Sequence, residues 1–321
     1  MAPAQVIDAH HHWIPPEHLD ALPSFLRDGE ALLRRDDRTS LMRAGQAINN
    51  FNETVVGDAD LHLSDMDAAG VDRAIFSLGI WLEWMDLKHA QEVNDMLADL
   101  QSRSKGRIVG LVHVPPLADG AEQEIERGVR ELGLRGINLT THWRGTYFYE
   151  PLCRGILRKA AELEVPIVIH ASSVAGVCPA IDDDGTQFGR VTDQAMVVVR
   201  LLMSGALEEL PKLRFVLPQM GGGFFAIKKR IGVGGDETNT LTARAGGLHQ
   251  IWFDTAPGLW DADEFRLALA NLGADQLLFG TDYPSRRHWL KRAADTWRAM
   301  DIDEGNREKV MGRNAAALFG I

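Results

Sequence analysis

Three consecutive histidines close a short apolar run near the N-terminus, in Val6-Ile7-Asp8-Ala9-His10-His11-His12. If the run is a strand, alternate residues point to opposite faces, so His10 and His12 share one face and His11 takes the other. Two imidazoles two residues apart on one face can grip a single metal ion. The competing readings are a chance polar strand end and an expression tag, although a tag is longer and rarely runs on into Trp13-Ile14-Pro15-Pro16. Other titratable residues stand at the ends of other apolar runs. His142 follows Gly136-Ile137-Asn138-Leu139-Thr140-Thr141, His170 closes Pro166-Ile167-Val168-Ile169, and Asp282 ends Leu277-Leu278-Phe279-Gly280-Thr281. Taken singly, His170 reads as a satisfied core histidine and Asp282 as a turn or capping residue. Taken together, they offer the imidazoles and the carboxylate that suit a divalent ion such as Zn²⁺, with water in an open position.

That chemistry requires a fold that gathers distant strand ends. The pattern predicts strands at 6–12, 73–78, 107–114, 135–141, 166–171, 213–219, 250–254 and 276–281. Helices are expected near 60–70, 87–104, 119–132, 150–164, 193–209, 223–231, 261–272, 286–300 and 304–318. Near-continuous apolar strands between helices indicate a parallel sheet covered on both faces. Eight such units within 321 residues fit a closed (β/α)₈ TIM barrel, a single domain over residues 1–321 with insertions after strands 1 and 5. The first insertion, about 13–60, is a long polar segment with Pro15, Pro16 and Asn49-Asn50, expected to cap the barrel mouth. An open doubly wound sheet is the alternative, but its glycine-rich phosphate turn after an early strand is missing. Gly221-Gly222-Gly223 comes too late and lacks the spacing. Barrel enzymes place their chemistry at the C-terminal strand ends, so His10, His12, His142, His170 and Asp282 are expected at one mouth.

A formal charge of −11 argues against nucleic acid or an anionic membrane as the main partner. No apolar run is long enough to suggest a membrane span, and Met1 to Val6 do not read as a signal peptide. Cys153 and Cys178 have neither zinc nor redox spacing, so a cytoplasmic location is expected. Asp182-Asp183-Asp184-Gly185 reads as a polar loop, since the rest of a calcium loop is missing.

The H-x-H of His10 and His12, His170 at the end of strand 5, and Gly280-Thr281-Asp282-Tyr283-Pro284 resemble the amidohydrolase superfamily. Within it the chain is most similar to the branch containing 2-amino-3-carboxymuconate-6-semialdehyde decarboxylase. Arg107-Ile108-Val109-Gly110-Leu111, Gly136 to His142, the triple glycine and Asn314 carry that similarity along nearly the whole chain. The resemblance implies that His10, His12, His170 and Asp282 bind one divalent metal, Zn²⁺ first, with Mn²⁺ and Fe²⁺ also suited to a mixed His/Asp set. It implies an active-site role for His142, a homodimer, and an arginine after the triple glycine that reaches across the dimer to a substrate carboxylate. Arg230 matches that position, although a surface charge at a helix end is an equal reading. One departure stands out. The family carries a histidine at the end of strand 6, where this chain has Gln219 and Met220, neither able to take a proton near neutral pH. Gln219 can still hydrogen-bond a water or a substrate oxygen.

The preferred function is a metal-dependent carbon–carbon lyase that decarboxylates a small unsaturated or aromatic carboxylic acid. Asp282 serves there as ligand and proton carrier, and the metal positions the acid and stabilises charge. The alternative is hydrolysis of a small amide or lactone, with Asp282 as base for a bound water. A third reading is a degenerate barrel acting as a binding or partner subunit. Trp13, Trp81 and Trp84 could wall a flat substrate or pack the insertion on the barrel. Arg144, Arg286, Arg287 and His288 could pair with a carboxylate or serve as solvated surface groups.

Overall fold

The computed structural model describes residues 5–36, 38–173, 187–229, 245–257 and 261–321. Its strands are β1 (Ile7–His12), β2 (Glu30–Arg35), β3 (Arg38–Arg43), β4 (Gln46–Asn52), β5 (Arg73–Ser77), β6 (Ile108–Gly110), β7 (Val112–His113), β8 (Ile137–Thr140), β9 (His142–Trp143), β10 (Thr146–Tyr147), β11 (Ile167–His170), β12 (Phe215–Leu217), β13 (Ile251–Asp254) and β14 (Leu277–Leu278). Two parallel sheets carry the framework, in the orders β1-β5-β6 and β14-β13-β12-β11-β8-β7. Only Leu111 separates β6 from β7, so the chain itself steps from one sheet to the other. At the far side, Ala9 N–H donates to the Phe279 carbonyl (2.8 Å), Asp282 N–H to His10 (2.9 Å) and His12 N–H to Tyr283 (2.7 Å).

These strands are short, apolar and buried, as the sequence pattern demands of a sheet with helices on its outside. Inside, Ile7, Ala9, Ile75, Val109, Val168, Val216 and Leu278 from successive strands pack against Ala315, Leu318 and Phe319 of the last helix, Asn314–Phe319. Asn314 fixes that helix by donating to the Ala274 and Leu277 carbonyls (2.7 and 2.8 Å). The outer helices start on side-chain caps: Asp58 accepts from Leu61 N–H, Asp86 from His89 N–H, and Asp261 forms a reciprocal box with Glu264. Among the described residues no helix is long and apolar enough to cross a membrane.

The segment after β1 is more ordered than its polarity suggests. β2, β3 and β4 form an antiparallel meander. Its outer strand is mostly exposed, which hides the alternation, while Leu41, Ile48 and Phe51 are buried. Two further differences concern lengths. The helix expected at 193–209 begins six residues earlier, at Gln187–Met203, and β12 stops at Leu217. After Pro218 five successive residues, Gln219 to Gly223, have positive φ, between 51° and 76°. Such a left-handed stretch favours glycine, which is why the triple glycine follows two non-glycine residues here.

Candidate metal centre

β1 delivers His10 and His12 to one face, as alternation requires, and β11 and the turn after β14 bring His170 and Asp282 beside them. One donor atom from each of these four lies within 4.8 Å of all the others. His10 Nε2 is 3.1 Å from His12 Nε2, and Asp282 Oδ1 is 3.0 Å from His12 Nε2 and 3.7 Å from His10 Nε2. Asp282 sits at φ +59°, a conformation that aspartate tolerates better than most residues.

The opposite ring nitrogens are already engaged. His10 Nδ1–H donates to Asp254 (2.8 Å), and His170 Nδ1–H donates to the Ala171 carbonyl (2.9 Å). His12 Nδ1 is hydrogen bonded to the Ser77 hydroxyl (3.2 Å). A carboxylate and a carbonyl only accept, so Nδ1 of His10 and of His170 carries the proton and Nε2 presents its lone pair. Lone pairs facing one another and a carboxylate repel unless a cation or a proton lies among them. The charges agree. Burial works against a positive His10, yet Asp254 and Asp282 outweigh it and raise the ring to about 9. His170 is pushed well below its usual value by burial and by the charges of His12 and His10. For Asp282 burial favours the neutral acid, but His12 and the positive charges of His10 and Arg190 prevail and lower its pKa. The arrangement is a pocket for positive charge built from three imidazoles and one carboxylate.

The four donors open onto a cavity of about 580 Å³. Trp81 and Phe51 form part of its wall, edge to face with centroids 4.5 Å apart, and Ile48 adds an apolar contact from β4. Gln219 is on the wall too. Its Oε1 accepts from Gln194 (2.8 Å), so the side chain is left with N–H groups to offer and acts as a donor. The Gln219 backbone N–H is held by Asp254 Oδ1 (3.2 Å), which ties the left-handed turn to the His10 ring.

Other expected residues lie elsewhere. His142 is not on the cavity wall: its Nε2–H donates to the Ser173 carbonyl (3.0 Å) and its Nδ1 accepts from Gly145 N–H (3.3 Å). The short β9–β10 hairpin turns the ring to pin two loops together. Trp13 is also off the wall and donates its indole N–H to the Gly57 carbonyl (2.9 Å), packing the segment after β1. Trp84 bonds Glu30 (2.9 Å), Arg144 lies over the Trp143 ring, and Arg287 pairs with Asp65. Arg286 lines the cavity and His288 is exposed. Arg230, Cys178 and Asp182 to Asp184 lie outside the described residues.

Three residues were not singled out by sequence. Asp254 closes Gln250-Ile251-Trp252-Phe253 as His170 closes its own strand, so the same strand-end signal was available. Ser77 likewise ends β5. Arg190, buried on the cavity wall, lies within a helix and carries no such signal.

The family model described as Amidohydrolase matches residues 7–321. A 2-amino-3-carboxymuconate-6-semialdehyde decarboxylase from Dictyostelium discoideum is 23% identical over 283 residues, covering 82% of this chain and 77% of that protein. A gamma-resorcylate decarboxylase from Rhizobium sp. is 26% identical over 290 residues, covering 82% and 87%. Among solved structures, a manganese-bound 5-carboxyvanillate decarboxylase from Novosphingobium aromaticivorans superposes with a TM-score of 0.81 at 22% identity, covering 99% of this chain and 97% of the other. The two chains share a fold.

Proposed function

This chain belongs to the amidohydrolase family, and from that premise we propose that it is a metal-dependent decarboxylase of small aromatic or unsaturated carboxylic acids. The observation that carries the reading is the convergence of His10, His12, His170 and Asp282, with the far nitrogens of the three rings already hydrogen bonded. These four residues would hold one divalent ion, for which Zn²⁺ and Mn²⁺ both suit the donor set. When bound, the ion supplies positive charge that positions the acid and stabilises the negative charge developing as CO₂ leaves. Asp282, kept ionised, accepts a proton from a substrate hydroxyl or a water and delivers it to the carbon bearing the carboxylate. The carbon–carbon bond then breaks, CO₂ departs, and hydrogen takes its place. Gln219 donates a hydrogen bond to a substrate oxygen, and Trp81 with Phe51 excludes water over the ring face.

Gln219 cannot act as a base, and the two relatives described above are decarboxylases, so this reading is preferred to amide or lactone hydrolysis. The same reading takes the two parallel sheets as one closed (β/α)₈ barrel in a single domain. Its support is the set of backbone bonds from β1 to residues 279–283 and the eight parallel strands obtained when β6 and β7 count as one. Residues 13–60 cap the mouth, since Ile48, Phe51 and Val56 line the cavity. A homodimer completes the picture and is checked by sedimentation equilibrium.

The test is CO₂ release by protein loaded with Zn²⁺ or Mn²⁺, on a panel of hydroxybenzoates and unsaturated acids that includes 2,6-dihydroxybenzoate and 5-carboxyvanillate. The expected result is CO₂ and decarboxylated product in equal amounts. Hydrolysis of amides or lactones with no CO₂ from any acid overturns the reading.

A further inference from the structure

On the wall of the candidate site, Arg190 is a cation with no close ion-pair partner among the described residues. It lies in the first turn of the helix Gln187–Met203, beside Val191 and Gln194, which line or support the same wall. The residue is 9% exposed. One guanidinium nitrogen donates to the Ile48 carbonyl of β4. Its Nε is buried and has no hydrogen-bond partner among the described residues.

The neighbouring arginines differ. Arg43 pairs with Glu30 and Glu83, both at 3.0 Å, and Arg287 forms a forked pair with Asp65. Among the described residues no carboxylate forms such a pair with Arg190; Asp282 and Glu83 act on it only at longer range. A guanidinium removed from water and left without a close anion is costly, and its planar fork matches a carboxylate. The Ile48 carbonyl holds one guanidinium nitrogen in place; the buried Nε–H keeps no partner among the described residues, and the head still has N–H groups that the Ile48 carbonyl does not use.

We propose that Arg190 is the residue that recognises the substrate carboxylate in this cavity, so that acids bind there in preference to neutral analogues of the same shape. This rests on the reading of the cavity as a site for carboxylic acids. Loss of CO₂ removes the counter-charge and weakens the hold on the product, which makes Arg190 a device for turnover as well as for selection.

The experiment is calorimetric titration of the metal-loaded protein with a panel of hydroxybenzoates, 2,6-dihydroxybenzoate among them, and their matched benzamides. Wild type is compared with Arg190→Met and Arg190→Lys. For at least one acid, wild type is expected to favour the acid over its amide by about ten-fold or more, the scale of a charge-assisted hydrogen bond. Arg190→Met is expected to erase that preference by weakening the acid while leaving the amide within about two-fold, and Arg190→Lys to keep part of it. Retained amide affinity in the Met variant shows that the cavity is intact. An acid preference unchanged in Arg190→Met overturns the proposal, because the metal alone then accounts for it. A wild type that binds no acid more tightly than its amide overturns it as well. If the preference depends on Arg190 but no acid yields CO₂, the decarboxylase reading fails and the assignment of Arg190 stands.

Discussion

The two faces of β1 put the same side chain to opposite uses. On one face, His10 and His12 each bind a neighbour through Nδ1 and turn Nε2 toward a shared centre with His170 and Asp282. On the other, His11 commits both nitrogens. Its Nδ1 is bonded to Asp8 (3.0 Å) and its Nε2 to His62 Nδ1 (3.2 Å), and His62 Nε2–H ends the chain on the Val55 carbonyl (2.8 Å). The His11 ring is stacked between Phe76 and Tyr283, with both centroids at 4.6 Å. All three residues are buried, so burial does not separate them. What separates them is whether a lone pair is left uncommitted. Their charges follow: burial and the charges of His12 and His10 press His11 well below its usual pKa, whereas two carboxylates raise His10 to about 9.

The largest expected effect breaks the metal face itself. Asparagine tolerates the positive φ of position 282, so Asp282→Asn should fold while losing its carboxylate. Metal content should fall from about one ion per chain toward none, and CO₂ release by about 10²- to 10⁴-fold, the usual range for loss of a proton-transfer group. Elemental analysis beside a CO₂ assay checks both; full metal content in this variant would remove Asp282 from the ligand set. Next comes Asp254→Asn, which keeps the shape but weakens the hold on the His10 ring. Loss of an outer partner of this kind lowers metal affinity by about 10- to 100-fold, measurable by chelator competition. On the opposite face, His62→Ala leaves His11 Nε2 buried without its partner. Denaturant melts should show a loss of about 1–3 kcal/mol with metal content unchanged. Metal loss of the same size as in Asp282→Asn would end the division between the two faces.

The smallest effect sharpens the boundary of the structural face. Asp65 accepts from the Tyr283 hydroxyl (2.6 Å) and from Arg287 (2.7 Å). Burial alone would raise its pKa, but Arg287 and Tyr283 prevail and hold it below the ordinary 3.8. A lowered carboxylate pKa stabilises the fold at neutral pH, and the contribution fades as pH falls below the unfolded value toward the folded one. Arg287 is more than half exposed, so Asp65→Asn should cost only about 0.2–1 kcal/mol at pH 7. The gap between wild type and variant should begin to narrow below roughly pH 4 and keep narrowing as pH falls through the lowered folded value. A gap that does not narrow at all across the acid range would assign the effect to packing around Tyr283.

Much of the candidate centre was legible because strand ends can be read. His10, His12, His170 and Asp282 each close an apolar run, and parallel strands align those ends. Asp254 closes such a run too and was readable by the same rule. The rule fixes position along a strand, however, and not the direction of a ring beyond it. His142 stands one residue beyond β8, yet the β9–β10 hairpin turns it onto backbone groups. A bulge in β1 between Asp8 and His11 lets those two residues, three apart, bond to each other, which strict alternation does not suggest. Arg190 was hidden for a different reason. An arginine in a helix reads as solvated surface, and only the tertiary placement of this one, on the cavity wall with its head bonded to the Ile48 carbonyl of β4, buries it. The β2–β4 meander was obscured by the exposure of its outer strand.

The left-handed turn at Gln219 to Gly223 also bears on which parts of the cavity can diverge. A methyl group at Gly221 would meet the Phe253 ring at 2.7 Å, and one at Gly222 would run into the Val191 backbone. The left-handed backbone at these glycines penalises any replacement further. Behind Gln219 on the cavity wall, the main chain at Gly221 and Gly222 is packed too closely to accept a side chain. Ala47 to Phe51 also line the cavity, from β4 of a meander that forms its own sheet apart from the parallel strands, so side chains there can change without disturbing the strand framework. New substrate preferences, whether reached by drift or by a library in the laboratory, are therefore channelled into the meander, while the glycine turn stays fixed as its template.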